Sequence, residues 1–242
     1  MVRIVVLVAV AVSTLAAVAC GGGSGDRNGL ITIHRIDLED AELNPFYFLN
    51  PSPANDYPDV VAEVNGVAVT GDELASRQVA LELTRRQWSG EFADNFPDEV
   101  VRQEIEKNEA ADPLQELVDE ELERQAVIRL GLLPTDEEAM AAAREQQRMS
   151  DEAIANAPAE QREIMLQTMD QIGAPSGDWG ADSEWVERFR EARGLVKLRQ
   201  GQCAMKLPTP GELSYVGGYD CSAFLAQERE SADIVYHVRW AG

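Results

Sequence analysis

Histidine, cysteine and positive charge are all scarce in this sequence, and each scarcity excludes something. Its 242 residues include two histidines, His34 and His237, which leaves little for imidazole catalysis or a His-rich metal site. Three cysteines are too few for a disulfide scaffold. Lys and Arg number 21 against 43 Asp and Glu, a formal charge of −22. Phosphate recognition needs clustered cations to release counterions, so no nucleic-acid partner is expected. An anionic membrane surface is a poor electrostatic partner for the same reason. No His-Glu-x-x-His, EF-hand loop, Walker or Gly-x-Ser-x-Gly pattern occurs. The acids, for example Asp119-Glu120-Glu121 and Glu137-Glu138, read as a solvated helix surface, not as a cleft pair with separated pKa values. No catalytic residue, metal or cofactor is expected.

What is present begins at the N-terminus. Residues 1–19 read as a signal peptide: Arg3 supplies the positive start, Ile4 to Val12 an apolar run, and Ala17-Val18-Ala19-Cys20 a small-residue end. The apolar stretch of about 16 residues falls short of the ~20 that a spanning helix needs. The segment resembles a bacterial lipobox, with Ala17 where Leu is usual. That resemblance implies cleavage before Cys20, acylation of Cys20, and a protein held outside the cytoplasm by its lipid. Several acyl chains anchor stably where a single one does not. Gly21-Gly22-Gly23-Ser24-Gly25 then reads as a flexible tether within an irregular lead-in spanning 20–58. Within it, Ile31, Ile33, Ile36 and Leu38 suggest a short strand, and Pro45-Phe46-Tyr47-Phe48-Leu49 an apolar patch.

With Cys20 acylated, Cys203 and Cys221 remain as an even pair in an oxidising compartment, where a structural disulfide is the default. They lack the Cys-x-x-Cys spacing of a redox pair.

From residue 59 the pattern sharpens. Val60, Ala62 and Val64, then Asn65-Gly66, then Val67 and Val69 predict a hairpin with a type I′ turn. Thr70-Gly71-Asp72-Glu73 is a capping box opening a helix to about Trp88, and a second helix is expected near 97–108. Asp112-Pro113 starts a third, with Leu114, Leu117, Val118, Leu122 and Ala126 as its stripe and Gly131 as its terminator. Thr135-Asp136-Glu137-Glu138 opens a fourth to about Met149, with further helices at 151–172 and 183–199. Residues 200–219 read as a Gly/Pro-rich loop, 220–231 as a helix and 234–240 as one strand. The fold class is mainly α, with a small β-element formed by the N-terminal hairpin and the C-terminal strand.

The hairpin and capped helix of 60–85, Pro113-Leu114-Gln115-Glu116-Leu117-Val118-Asp119-Glu120-Glu121-Leu122, and Leu130-Gly131-Leu132-Leu133-Pro134-Thr135-Asp136-Glu137-Glu138 resemble, in order and spacing, the SurA/PrsA-type extracytoplasmic chaperones. Phe224 to Trp240 resembles their closing helix and strand, which returns to the hairpin. The resemblance implies a SurA N-terminal-like domain over 59–242 that binds unfolded or newly translocated polypeptides without ATP. Full-length foldases of that family carry a parvulin prolyl isomerase domain of about a hundred residues before the closing helix. Here that interval, Gln200 to Tyr219, has 20 residues and cannot enclose a proline pocket, so no isomerase activity is expected. The rival functions are a non-catalytic envelope lipoprotein binding one specific partner and, third, a residual prolyl isomerase.

Candidate client-binding residues come from a flexible, polarisable set: Met140, Met149, Ile164, Met165, Leu166 and Met169, with Trp185 and Phe189. Met165 and Met169, like Trp185 and Phe189, are spaced i, i+4 and share a helix face. Such residues line a groove for unfolded segments or pack an ordinary core, and the sequence leaves both readings open. The strong negative charge favours basic or neutral clients.

Overall fold

The computed structural model describes residues 30–34, 56–90, 93–206 and 218–241. The signal segment, Cys20, the Gly/Ser tether, the Pro45–Leu49 patch and the centre of the 200–219 loop lie outside the described residues. The architecture is mainly helical with small sheets.

The hairpin forms as the sequence dictates. Strands β2 (Val60–Val64) and β3 (Val67–Thr70) pair antiparallel around Asn65 and Gly66, whose φ values of 54° and 80° are the two left-handed positions of the turn. Asn65 does more than turn the chain. Its backbone N–H donates to the Asp233 carbonyl at 2.7 Å, its side-chain oxygen accepts from the Asp233 N–H at 2.8 Å, and its amide donates to Gln125 at 2.7 Å. The turn is thereby pinned to two distant segments.

Helix α1 (Gly71–Ser89) starts on the Thr70–Glu73 capping box, with Thr70 Oγ1 accepting the Glu73 N–H at 3.2 Å and Glu73 accepting the Thr70 N–H at 2.7 Å. A 3₁₀ turn (Ala93–Asn95) leads to α2 (Asp98–Glu109). In α3 (Pro113–Arg129), Asp112 Oδ1 accepts from the N–H groups of Leu114 and Gln115, both at 3.0 Å, and Gly131 beyond the end is left-handed with φ 63°.

The fourth helix corrects the expectation. A break is expected between Met149 and Asp151, yet α4 (Asp136–Asn156) runs straight through it and stops only before Pro158, after which α5 (Ala159–Gln171) begins. Ser150 is buried inside the continuous helix, and Pro158 supplies the break because it cannot donate to the ladder. A second 3₁₀ turn (Trp179–Ala181) precedes α6 (Ser183–Gln202), which Asp182 caps.

The 200–219 interval is not only loop. Strands β4 (Ala204–Lys206) and β5 (Gly218–Asp220) pair antiparallel, and the Cys203–Cys221 disulfide closes their open end. After α7 (Ser222–Ser231), the expected single strand is two: β6 (Ile234–Tyr236) pairs with β2, and β7 (Val238–Trp240) pairs parallel with β1 (Ile31–Ile33). His237 is the joint, its N–H donating to the Val61 carbonyl at 2.9 Å. The chain crosses from one sheet to the next there, while the expected alternation runs through unbroken: Ile234, Tyr236, Val238 and Trp240 face inward and Val235, His237 and Arg239 outward.

Three cores result. The largest joins Val61, Ala62, Val64 and Val69 of the hairpin to Leu74 of α1, to Leu114, Val118 and Leu122 of α3, and to Ile33 and Val238. A second holds Ala139 and Ala143 of α4 against Trp179, Trp185, Val186 and Phe189. Between them, Ala126, Val127 and Leu198 join α3 to α6. Ion pairs from α7 to α3, Arg229–Asp119 and Arg129–Glu228, bring the C-terminal helix onto the same frame.

Candidate functional site

The residues singled out in the sequence scatter. Trp185 and Phe189 are only 4% and 9% exposed: Trp185 stacks edge-on against Trp179 at 5.2 Å and against Phe189 at 6.2 Å. They line no open surface, because the small side chains of Ala139 and Ala143 let α4 close over them. Met140 and Met169 are half-buried against the same cluster, and Met165 is half-buried on α5. Met149 and Leu166 are exposed on separate helices. The side chain of Ile164 lies outside the described residues. Four of the set, Met140, Met169, Trp185 and Phe189, pack into one core, and the other described members, Met149, Met165 and Leu166, stand apart from it.

A cleft does exist, between α3 and α6. Its volume is about 400 Å³, and the end of the hairpin and the start of α1 close one side. Its floor is apolar: Val69, Leu117, Val127 and Leu195. Ile128, 54% exposed, and Leu133 stand at its mouth. A second depression of about 390 Å³ continues from it past Val67 and shares Ile128 and Arg124. Two helices run closely enough to frame this cleft because Gly194 faces α3. A Cβ at that position would lie 2.6 Å from a Val127 methyl and 3.3 Å from Leu133.

The rim is charged, and its cations are committed to carboxylates of the protein. Arg199 donates to both oxygens of Glu123, at 2.6 and 3.3 Å, across the floor. Arg124 forks onto Glu121 with two 2.7 Å bonds. Arg188 pairs with Glu184 at 2.6 Å and lies over the Trp185 ring. Glu120 is held by Arg77, and Glu73 is the capping acid of α1. Glu187 lies 3.4 Å from Arg190. That leaves Glu191, half-buried, with no hydrogen bond or ion pair among the described residues. Burial pushes its carboxyl above the usual range, the neighbouring Glu187 charge adds to that, and the nearby Arg124 partly opposes both. Glu116, just beyond the cleft on α3, is likewise raised, chiefly by burial.

Sequence reasoning missed this cleft. Glu123 and Arg199 are 76 residues apart, and no local pattern marks either. The available signals were faint: a glycine in mid-helix at 194, and acids at 187 and 191 with helical spacing.

No described helix is long and apolar enough to cross a membrane, and no group of three or more His, Cys, Asp or Glu among the described residues is placed to hold a metal ion. No family model, curated protein or solved structure matches this chain.

Proposed function

We propose that this chain is a membrane-anchored, ATP-independent chaperone that holds unfolded or newly translocated polypeptides in the cleft between α3 and α6. The observation carrying the reading is a concave apolar floor that no element of the described chain covers, with Ile128 exposed at its mouth. Such a surface gains affinity from non-directional burial, at about 25 cal/mol per Å² less the cost of ordering the client. Binding is therefore weak, reversible and tolerant of sequence. A cleft of this size admits a few side chains of an extended or helical segment and excludes a folded domain.

The likeness to the SurA/PrsA-type chaperones supports the same reading. In it, the hairpin and β6 form the family's closing β-element, and the short β4–β5 ribbon stands where relatives carry parvulin. Acylated Cys20 holds the protein on the outer side of a bacterial membrane, and the Gly/Ser run lets the helical body reach chains as they emerge. No prolyl isomerisation is part of the activity.

The test is suppression of aggregation. The purified chain keeps an unfolded model protein in solution at near-equimolar ratio, and Ile128→Asp weakens that protection while leaving the melting curve in place. Unhindered aggregation at large molar excess of the chain overturns the proposal.

The second reading is an interaction lipoprotein with one specific partner. The closed Trp179–Trp185–Phe189 core favours it, since it removes the adaptable Met-rich surface that a general chaperone would use. A pull-down giving one dominant folded protein supports this reading against the first.

A further inference from the structure

We infer that the α3–α6 cleft selects segments in which a Lys or Arg stands among aliphatic residues, the cation seating on Glu191 and Glu187 and the aliphatic side chains on Leu117, Val127 and Leu195. This rests on the chaperone reading and names the class of segment that the same cleft takes.

Charge complementarity carries the argument. Six carboxylates line the cleft against three guanidiniums, and each guanidinium is already paired within the chain. Glu120 and Glu187 also have partners just outside the lining, Arg77 and Arg190, so the carboxylate left without one among the described residues, beside the apolar floor, is Glu191. One turn away on the cleft side of α6 stands exposed Glu187, whose cation, Arg190, is shared with Asp136, so the local excess of negative charge lies on α6. Glu191 loses hydration by half-burial and gains no donor in return. A cation entering the cleft supplies that donor and relieves the repulsion between the two acids. An anionic segment meets repulsion from both and finds no free guanidinium.

The two features are separable in their effects. The floor contributes affinity for any aliphatic segment. The acids contribute discrimination and a dependence on salt, because partly exposed charge pairs are screened.

The experiment uses the full chain and two short fluorescent peptides of identical leucine spacing, one with Lys and the other with Glu at the intervening positions. Anisotropy titrations give the Lys peptide the lower Kd, and raising the salt narrows the gap. The Glu187→Gln/Glu191→Gln variant loses about fivefold in affinity for the Lys peptide and gains modestly for the Glu peptide, as expected for partly exposed charges. Glu187→Lys, at an exposed position, reverses the preference. Circular dichroism melting of each variant verifies the fold. Equal binding of both peptides, or a preference unchanged by the double substitution, overturns the inference. If binding is equal but lost in Ile128→Asp, the charge selection fails and the chaperone reading stands. If neither peptide binds and aggregation also goes unsuppressed, both fail.

Discussion

Arg199 and Glu123 meet across the floor of the cleft as a fork, and the two sides of this pair differ in their access to water. The Glu123 carboxylate is nearly sealed, whereas the guanidinium is almost half exposed. Burial and pairing act in opposite directions on Arg199: the bond to Glu123 raises its pKa, and the loss of hydration partly offsets that.

Removing either partner therefore has unequal consequences. Arg199→Ala strands a buried carboxylate and lowers stability by about 2–3 kcal/mol, whereas Glu123→Ala leaves a guanidinium that turns to solvent and costs about 1 kcal/mol. Urea denaturation measures both. A double replacement by Met recovers most of the loss, since a matched apolar pair needs no compensation. Equal losses for the two single variants would contradict the asymmetry.

Local chemistry made much of the fold legible beforehand. The Thr70–Glu73 and Thr135–Glu138 boxes, the Asp112 cap and the Asn65-Gly66 turn each involve residues within three positions of one another, so their geometry is encoded where it is read. The break expected next to Ser150 fails for the opposite reason. Ser150 has the chemistry of a cap, but burial in a continuing helix overrides it. His237 hides a change of partner, because a strand's alternation does not reveal which neighbour it pairs with. The methionines and tryptophans of 140–189 carry no sign of the side from which they will be covered. The cleft itself arises only when α6 packs back onto α3 through Gly194, a contact 67 or so residues away in sequence from Val127.

The disulfide closes a separation of 18 residues. On the chain-entropy account such a cross-link contributes about 3 kcal/mol. Cys203→Ser is expected to lower the thermal midpoint in oxidising buffer, and reductant should bring the wild type down to the variant without affecting the variant further. Identical midpoints, with free thiols titrating in the wild type, would remove the staple.

Two glutamates give opposite responses to acid. Hydrogen bonding from Arg85, with help from Arg86, holds Glu82 below the usual carboxylate range despite the opposing effect of burial. A lowered folded-state pKa means stability that is present above the unfolded value and is lost as the pH falls through the folded one. Glu82→Gln accordingly lowers the midpoint at neutral pH and flattens the decline in acid.

Glu191 has the other sign. Its raised pKa means that folding is favoured at low pH and that this contribution is lost as the pH rises through the folded value. Glu191→Gln therefore raises the midpoint by about 1–2 °C at neutral pH, with the gain vanishing below about pH 4. Scanning calorimetry across that range follows both variants, and a gain that persists in acid would contradict the assignment for Glu191.

Position-specific photocrosslinking tests the central claim most directly. A benzophenone side chain placed at Ile128, at the mouth of the cleft, and separately at Met149, exposed on α4, is irradiated in the presence of an unfolded client. Capture at 128, reduced by an excess of unlabelled client, with none above background at 149, is the predicted result. Capture at 149 alone, or with equal efficiency at both positions, would contradict binding in the cleft between α3 and α6.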